Sequence, residues 1–402
     1  MVKSLTVLTY LALLAGQFGF DRIGRANPLI IPERLFAAIV LTVMILPLSL
    51  SSRSTNVSPV KTSLVSVMLP LVYLITTAAW APTEAQIQPV VVDLVCMILY
   101  SAIFILLLQW DRRAVVASLM WCLASVGTVF SLTGLAGASM NARVAAFGGG
   151  PNVYSRITVL GIVGVVWLVA NKKVGTWSLF FIPIMLAATI ASGSRGGMLA
   201  GIVAILIISP VVFRLHTGQL VFAVAVASVA GYFVFRLYGD ALDVMIQGRI
   251  VRLTLEQGYT SGRGDLLSSA MAIYDAHPLF GDGMRAFATE YGQGFVYPHN
   301  LFAQVAAESG TLGLLLLVVL LLKSVRFVFK YRASDTTRCL AAAGAVIFTS
   351  AMFSGDYYDA RFLWIFIVVL FASAGDVMSD ASSVEFGSTR DSWSRQRVER
   401  AN

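Results

Sequence analysis

Apolar positions in this chain come in long unbroken runs rather than in period-2 alternation or a narrow helical stripe. The runs lie near residues 4–20, 32–50, 62–80, 89–109, 114–135 and 153–170, then 174–193, 197–213, 218–238, 300–322, 337–354 and 361–375. Wound as helices at about 1.5 Å per residue, runs of this kind are matched to roughly 30 Å of hydrocarbon. The pattern therefore predicts an all-α, polytopic membrane helix bundle of about twelve transmembrane helices. One long polar interruption stands out. It divides the chain into residues 1–238 (helices one to nine), a loop over 239–298, helices ten to twelve over 299–375, and a polar tail over 376–402. Lys3 before the first run imitates a secretory signal, but the run reaches Phe20 without a small-residue cleavage site, so it is read as a retained helix.

Composition agrees with the pattern and narrows the class. Over 402 residues, 57% are hydrophobic and 12% charged, with a mean hydropathy of +0.80, more apolar surface than a soluble domain can bury. The net charge of +8 does not call for nucleic acid, because the basic residues fall in short turns between apolar runs. Cys96, Cys122 and Cys339 sit within or at the start of apolar runs, which implies neither a disulfide framework nor a metal cluster.

The basic residues also set an orientation. An even span count puts both termini on one side; placing them in the cytoplasm assigns 17 of the 29 basic residues inside, including all six lysines. The remaining 12 are all arginine. Lysine and arginine anchor topology equally well, but only the planar guanidinium grips two oxygens of a phosphate or carboxylate at once. An outer face supplied with arginine alone therefore fits anion binding, although positive-inside selection could also produce the split.

Candidate chemistry concentrates in a few segments. Arg195 sits in the glycine-rich turn Ser192-Gly193-Ser194-Arg195-Gly196-Gly197 between two apolar runs. A guanidinium there costs about 2.5–3.5 kcal/mol unless it pairs, snorkels or faces a wet cavity. The long loop carries Arg249, Arg252, Arg263 and Arg285 with no lysine, and ends in Tyr297-Pro298-His299-Asn300. Asn300, Gln304 and Glu308 share one helical stripe, so the Glu308 carboxylate is expected to face the bundle interior. Within the loop, Leu266, Leu267, Ala270, Met271, Ile273 and Tyr274 predict an amphipathic helix resting on the membrane, stopped by Asp275-Ala276-His277-Pro278. His277 reads as a helix-end residue favoured by the dipole. Asp356-Tyr357-Tyr358-Asp359 suggests an aromatic belt and an ion pair as readily as a cation site, so no metal and no cofactor are assigned.

Three of these segments resemble the O-antigen ligase and O-antigen polymerase superfamily of bacterial inner-membrane glycan transferases. They are Ser192 to Gly197; Ser261-Gly262-Arg263 with Pro278-Leu279-Phe280-Gly281-Asp282-Gly283; and His299-Asn300-Leu301 leading to Glu308-Ser309-Gly310-Thr311-Leu312-Gly313. The resemblance implies metal-independent transfer of an undecaprenyl pyrophosphate-linked saccharide at the periplasmic face, with lipid A core or a lipid-linked glycan as acceptor. It also implies that Arg195 and a loop arginine, Arg263 or Arg249, hold the pyrophosphate, and that His299 lies near the acceptor hydroxyl. The chemistry is sound apart from the resemblance: oriented guanidinium groups stabilise charge on a leaving pyrophosphate, and a neutral imidazole can take the acceptor's proton. Glu308 or Asp265 could serve as base if His299 only positions the sugar.

Arg285, Glu308 and Asn300 are further substrate-binding candidates. So are Arg143 and Arg156, which flank the turn Phe147-Gly148-Gly149-Gly150-Pro151-Asn152 and could hold a second pyrophosphate, that of a lipid-linked acceptor. This segment looks similar to turns in polysaccharide polymerases of the superfamily, and that resemblance favours polymerase over ligase. A flippase for the same lipid-linked saccharide is the rival class, but no half-to-half repeat of the kind transporters show is found.

Overall fold

The computed structural model describes residues 1–15, 32–51, 58–137, 143–214, 217–247, 263–290, 295–357 and 359–373. Among them there are helices and turns and no strand. In chain order the helices are α1 (Val2–Ala15), α2 (Glu33–Ser51), α3 (Ser58–Thr76), α4 (Gln88–Trp110), α5 (Arg112–Ala136), α6 (Pro151–Ala170) and α7 (Phe181–Ala191). They continue with α8 (Arg195–Val212), α9 (Thr217–Met245), α10 (Arg263–Ala276), α11 (Ala286–Glu290), α12 (Leu301–Lys330), α13 (Asp335–Ala351) and α14 (Arg361–Ala372). Every predicted apolar run falls on one of these helices, while α10 and α11 belong to the long loop. By length and composition five of them, α4, α5, α6, α8 and α12, can cross a membrane; the apolar helices α1 and α14 are shorter.

α6 is the axis of the bundle. It packs against α5, α7, α8 and α13, and is apolar and buried almost all round, from Tyr154 to Val169. Where it crosses α5 there is no room for side chains: a Cβ on Gly127 would lie 2.5 Å from the Gly161 Cα, and one on Gly164 would lie 2.6 Å from the Ala124 nitrogen. Small residues let the two backbones touch, the usual means of gaining contact where lipid removes the hydrophobic drive between helices. Nearer the start of α6, the Tyr154 ring packs against Gly134 of α5.

α12 is broken at Gly310, whose backbone (φ 64°, ψ −163°) is not helical. A break at membrane depth frees carbonyl and amide groups that must find partners inside the protein. The loop segment 278–283 supplies them. Asp282 and Gly283 donate their backbone N–H groups to the carbonyls of Ala307 (2.9 Å) and Glu308 (3.1 Å), and the Tyr73 hydroxyl donates to that of Ser309 (3.0 Å). Beyond the break, Thr311 and Leu312 donate to the carbonyls of Pro278 (2.8 Å) and Leu279 (3.2 Å). The loop is thereby stitched into the helix.

This changes the reading of the loop helix. α10 does not simply rest on a membrane: Leu266, Ala270 and Ile273 are buried with Ala286, Phe287, Ala303 and Ala307 in a small apolar cluster against the first half of α12. Only its other face, with Leu267 and Met271, stays exposed. α10 does stop at Ala276, where the His277 N–H returns to the Ile273 and Tyr274 carbonyls.

Candidate functional site

α7 ends in a turn at Ser192-Gly193, with Gly193 at φ 59°. Ser194 then caps α8, its hydroxyl accepting from the Gly197 N–H at 3.2 Å. The first helical residue is Arg195, so the free N–H groups of the α8 start and the Arg195 guanidinium occupy one place. The short path from Arg143 to α6 runs beside this turn: the Arg143 Nε donates to the Ser192 carbonyl at 2.9 Å, and the Val144 N–H to the Ala191 carbonyl at 3.1 Å.

Around this helix start lies an open-mouthed cleft of about 460 Å³ lined by Arg143, Arg156, Arg195 and Arg263, with Asn152, Gly193 to Gly197, Ser350, Phe353 and Ser354 completing its walls. Four arginines come from four separate elements, and among the described residues no carboxylate lines the cleft. The Arg156 guanidinium is buried, at 4% exposure, and donates to the carbonyls of Ser354 and Asp359. Its Nε has no hydrogen-bond partner among the described residues. Burial, and then the charge of Arg195, pull the Arg263 guanidinium below its ordinary pKa, so these two cations face one another. At an effective dielectric of about 20, like charges roughly 8 Å apart repel by about 2 kcal/mol.

His299 does not line the cleft but borders it. The imidazole packs edge-on against Tyr297, ring centroids 4.7 Å apart, and takes a positive φ of 56°. Burial chiefly, and Arg263 next, lower its pKa below the ordinary histidine value, while Asp359 acts in the opposite sense. Its Nδ1 is buried and has no hydrogen-bond partner among the described residues. The imidazole is thus strained, half-buried and held neutral chiefly by burial and then by Arg263.

The other predicted residues take different places. Asn300 caps α12, its side chain accepting from the Ala303 N–H at 3.1 Å. Glu308 is 1% exposed; its Oε2 accepts from the Tyr357 hydroxyl at 3.0 Å, and Arg285, with a positive φ of 67°, faces the same carboxylate. Glu308 and Arg285 thus form a buried polar support below the start of α12 and do not line the arginine cleft. Tyr357 is accordingly buried, at 3% exposure, and is not part of an interfacial aromatic belt. Arg143 and Arg156 do not form a separate site either: they share one cleft with Arg195 and Arg263, because α6 runs alongside the start of α8. Arg249 lies outside the described residues.

Sequence patterns did not single out Ser350, Phe353 and Ser354, which close one wall of the cleft. Ser350 is in the last turn of α13 and Phe353 and Ser354 follow in the α13–α14 connection, and nothing local marks them.

Residues 179–318 match the family model described as O-Antigen ligase. The matched segment takes in Arg195, Arg263, Arg285, His299, Asn300 and Glu308, and leaves Arg143, Asn152 and Arg156 before it. The match supports the O-antigen ligase and polymerase superfamily, as the motifs suggested. No curated protein matches the chain.

Proposed function

We propose that this chain is a bacterial inner-membrane glycosyltransferase that moves a saccharide from an undecaprenyl pyrophosphate donor to a glycan acceptor. The carrying observation is the cleft of four arginines at the start of α8, with no lining carboxylate among the described residues. Helix N–H groups and bidentate guanidinium donors together suit a diphosphate. As the sugar–pyrophosphate bond breaks, negative charge grows on the leaving oxygens, and fixed cations in a half-buried cleft stabilise it without rearranging. The guanidinium groups here take the role a divalent cation plays in other transferases. His299, beside the cleft, takes the proton that the acceptor hydroxyl loses as it attacks the anomeric carbon.

Both termini are placed in the cytoplasm and the cleft at the periplasmic face. The ends of the bundle support this. α8 runs from Arg195 at the cleft to Val212, and Arg214 just beyond it pairs with Asp335 at 2.7 Å, next to the turn after Lys330. α6 likewise runs from Arg156 to the turn at Lys172 and Lys173. Lysines thus gather at the end opposite the cleft. Reporter fusions at Gly258 and in the C-terminal tail are expected to report opposite sides of the membrane; periplasmic signal from both would overturn this orientation.

Reconstitution with the lipid-linked repeat tests the function and separates the acceptors. Chain growth from the repeat alone gives polymerase, and transfer seen only after adding lipid A core gives ligase. The case for polymerase from a second pyrophosphate site lapses, since Arg143 and Arg156 serve the same cleft as Arg195. In this assay Arg195→Lys and Arg263→Lys are each expected to lose at least tenfold in turnover, because an ammonium point charge does not reproduce a bidentate contact. Full activity in both lysine variants contradicts the diphosphate grip.

A further inference from the structure

We propose that Asn152 is a positioning residue for the arginine cleft, and that it is an amide because a carboxylate there would cancel charge the anion needs. The proposal rests on the diphosphate reading above. Asn152 stands in the first turn of α6, two residues before Tyr154, whose ring packs against Gly134 of α5. Its Oδ1 accepts from the Arg143 Nη2 at 3.2 Å and from the Ser194 hydroxyl at 2.9 Å. Its Nδ2 donates to the Ser354 hydroxyl at 2.9 Å. The orientation of the amide is forced: arginine has no acceptor, so only the oxygen can face Arg143.

Three walls of the cleft meet at this one side chain. Through Arg143 it fixes the segment before α6. Through Ser194, which accepts from Gly197 while donating to Asn152, it fixes the start of α8 and hence Arg195. Through Ser354 it fixes the residue whose carbonyl accepts from buried Arg156. Only a side chain with both a two-fold acceptor and a donor makes this set. Aspartate has nearly the same shape and keeps both accepted bonds, and the Ser354 hydroxyl can turn to donate to it. What it adds is a full negative charge among the guanidinium groups, which pairs with Arg143 in place of the ligand.

The test uses the full-length protein in detergent, with inorganic pyrophosphate as the probe and lipid-linked repeat as the transfer substrate. Asn152→Asp is expected to bind pyrophosphate at least tenfold more weakly and to raise KM for the lipid-linked substrate by a similar factor, with kcat less affected and the unfolding temperature unchanged. Asn152→Ala, which lets the walls separate, is expected to lower kcat as well, and Asn152→Gln not to rescue it, since the longer amide misplaces all three bonds. Pyrophosphate binding by Asn152→Asp at wild-type strength overturns the proposal. So does a lowered unfolding temperature that accounts for the whole loss, because Asn152 is then a stability residue. Wild-type protein that binds no pyrophosphate removes the diphosphate reading itself, and this proposal with it.

Discussion

His299→Ala is expected to lower glycan transfer by about 10²–10⁴-fold, the usual span for losing a general base, while the protein stays folded in the membrane. The imidazole is only half-buried and its Nδ1 bonds to no described residue, so its removal leaves no orphaned partner in the core. The pH profile gives a second reading. The neutral form is the base, and a pKa lowered by burial and by Arg263 keeps it neutral further into acid than an ordinary histidine. The acid limb of kcat/KM is therefore expected below the usual histidine range. Arg263→Gln removes one of the charges that disfavour protonation, so in whatever activity survives the acid limb should move to higher pH. Near-normal turnover in His299→Ala would send the search for the base to Asp265 on α10. Glu308 is a weaker substitute, since its carboxylate is closed off beneath Tyr357.

Gly310→Ala is expected to be strongly destabilising, costing about 3–5 kcal/mol, in the range where a single change signals a specific structural failure. Two causes add. The backbone at φ 64°, ψ −163° lies in a region that only glycine occupies without strain. A Cβ there would also stand 2.5 Å from the Gly281 nitrogen and from the Leu279 carbonyl, forcing the loop out of the break. Four of the hydrogen bonds that satisfy the interrupted helix, those made by Asp282, Gly283, Thr311 and Leu312, depend on that contact. Gly231→Ala, with nothing within 4 Å of its Cβ, is expected to be neutral or slightly stabilising. Unfolding temperatures of the two variants in detergent make the comparison; equal temperatures would sink the account of the break.

The two predictions draw on different levels of the molecule, and the sequence reached them unequally. The helices were legible because a run of apolar residues is local information, and a chain that must satisfy its own backbone in lipid has little choice but to coil. The Ser192 to Gly197 turn and the His299 entry to α12 were legible for the same reason: each is a short stretch whose chemistry can be read in place. Gly310 stood in a motif, yet its role depended on a partner, the loop 278–283, that periodicity cannot pair with it. Likewise the sequence placed Glu308 inside the bundle but could not supply Tyr357, 49 residues on. It placed Arg143 and Arg156 apart from Arg195, where packing of α6 against α8 brings them into one cleft. It left α10 on a membrane surface, where three apolar residues found α12. Local pattern decides which residues coil and which face water. Which charges converge on one cleft is decided by helix packing between residues far apart in the chain, through glycine contacts and hydrogen bonds that no window of sequence contains.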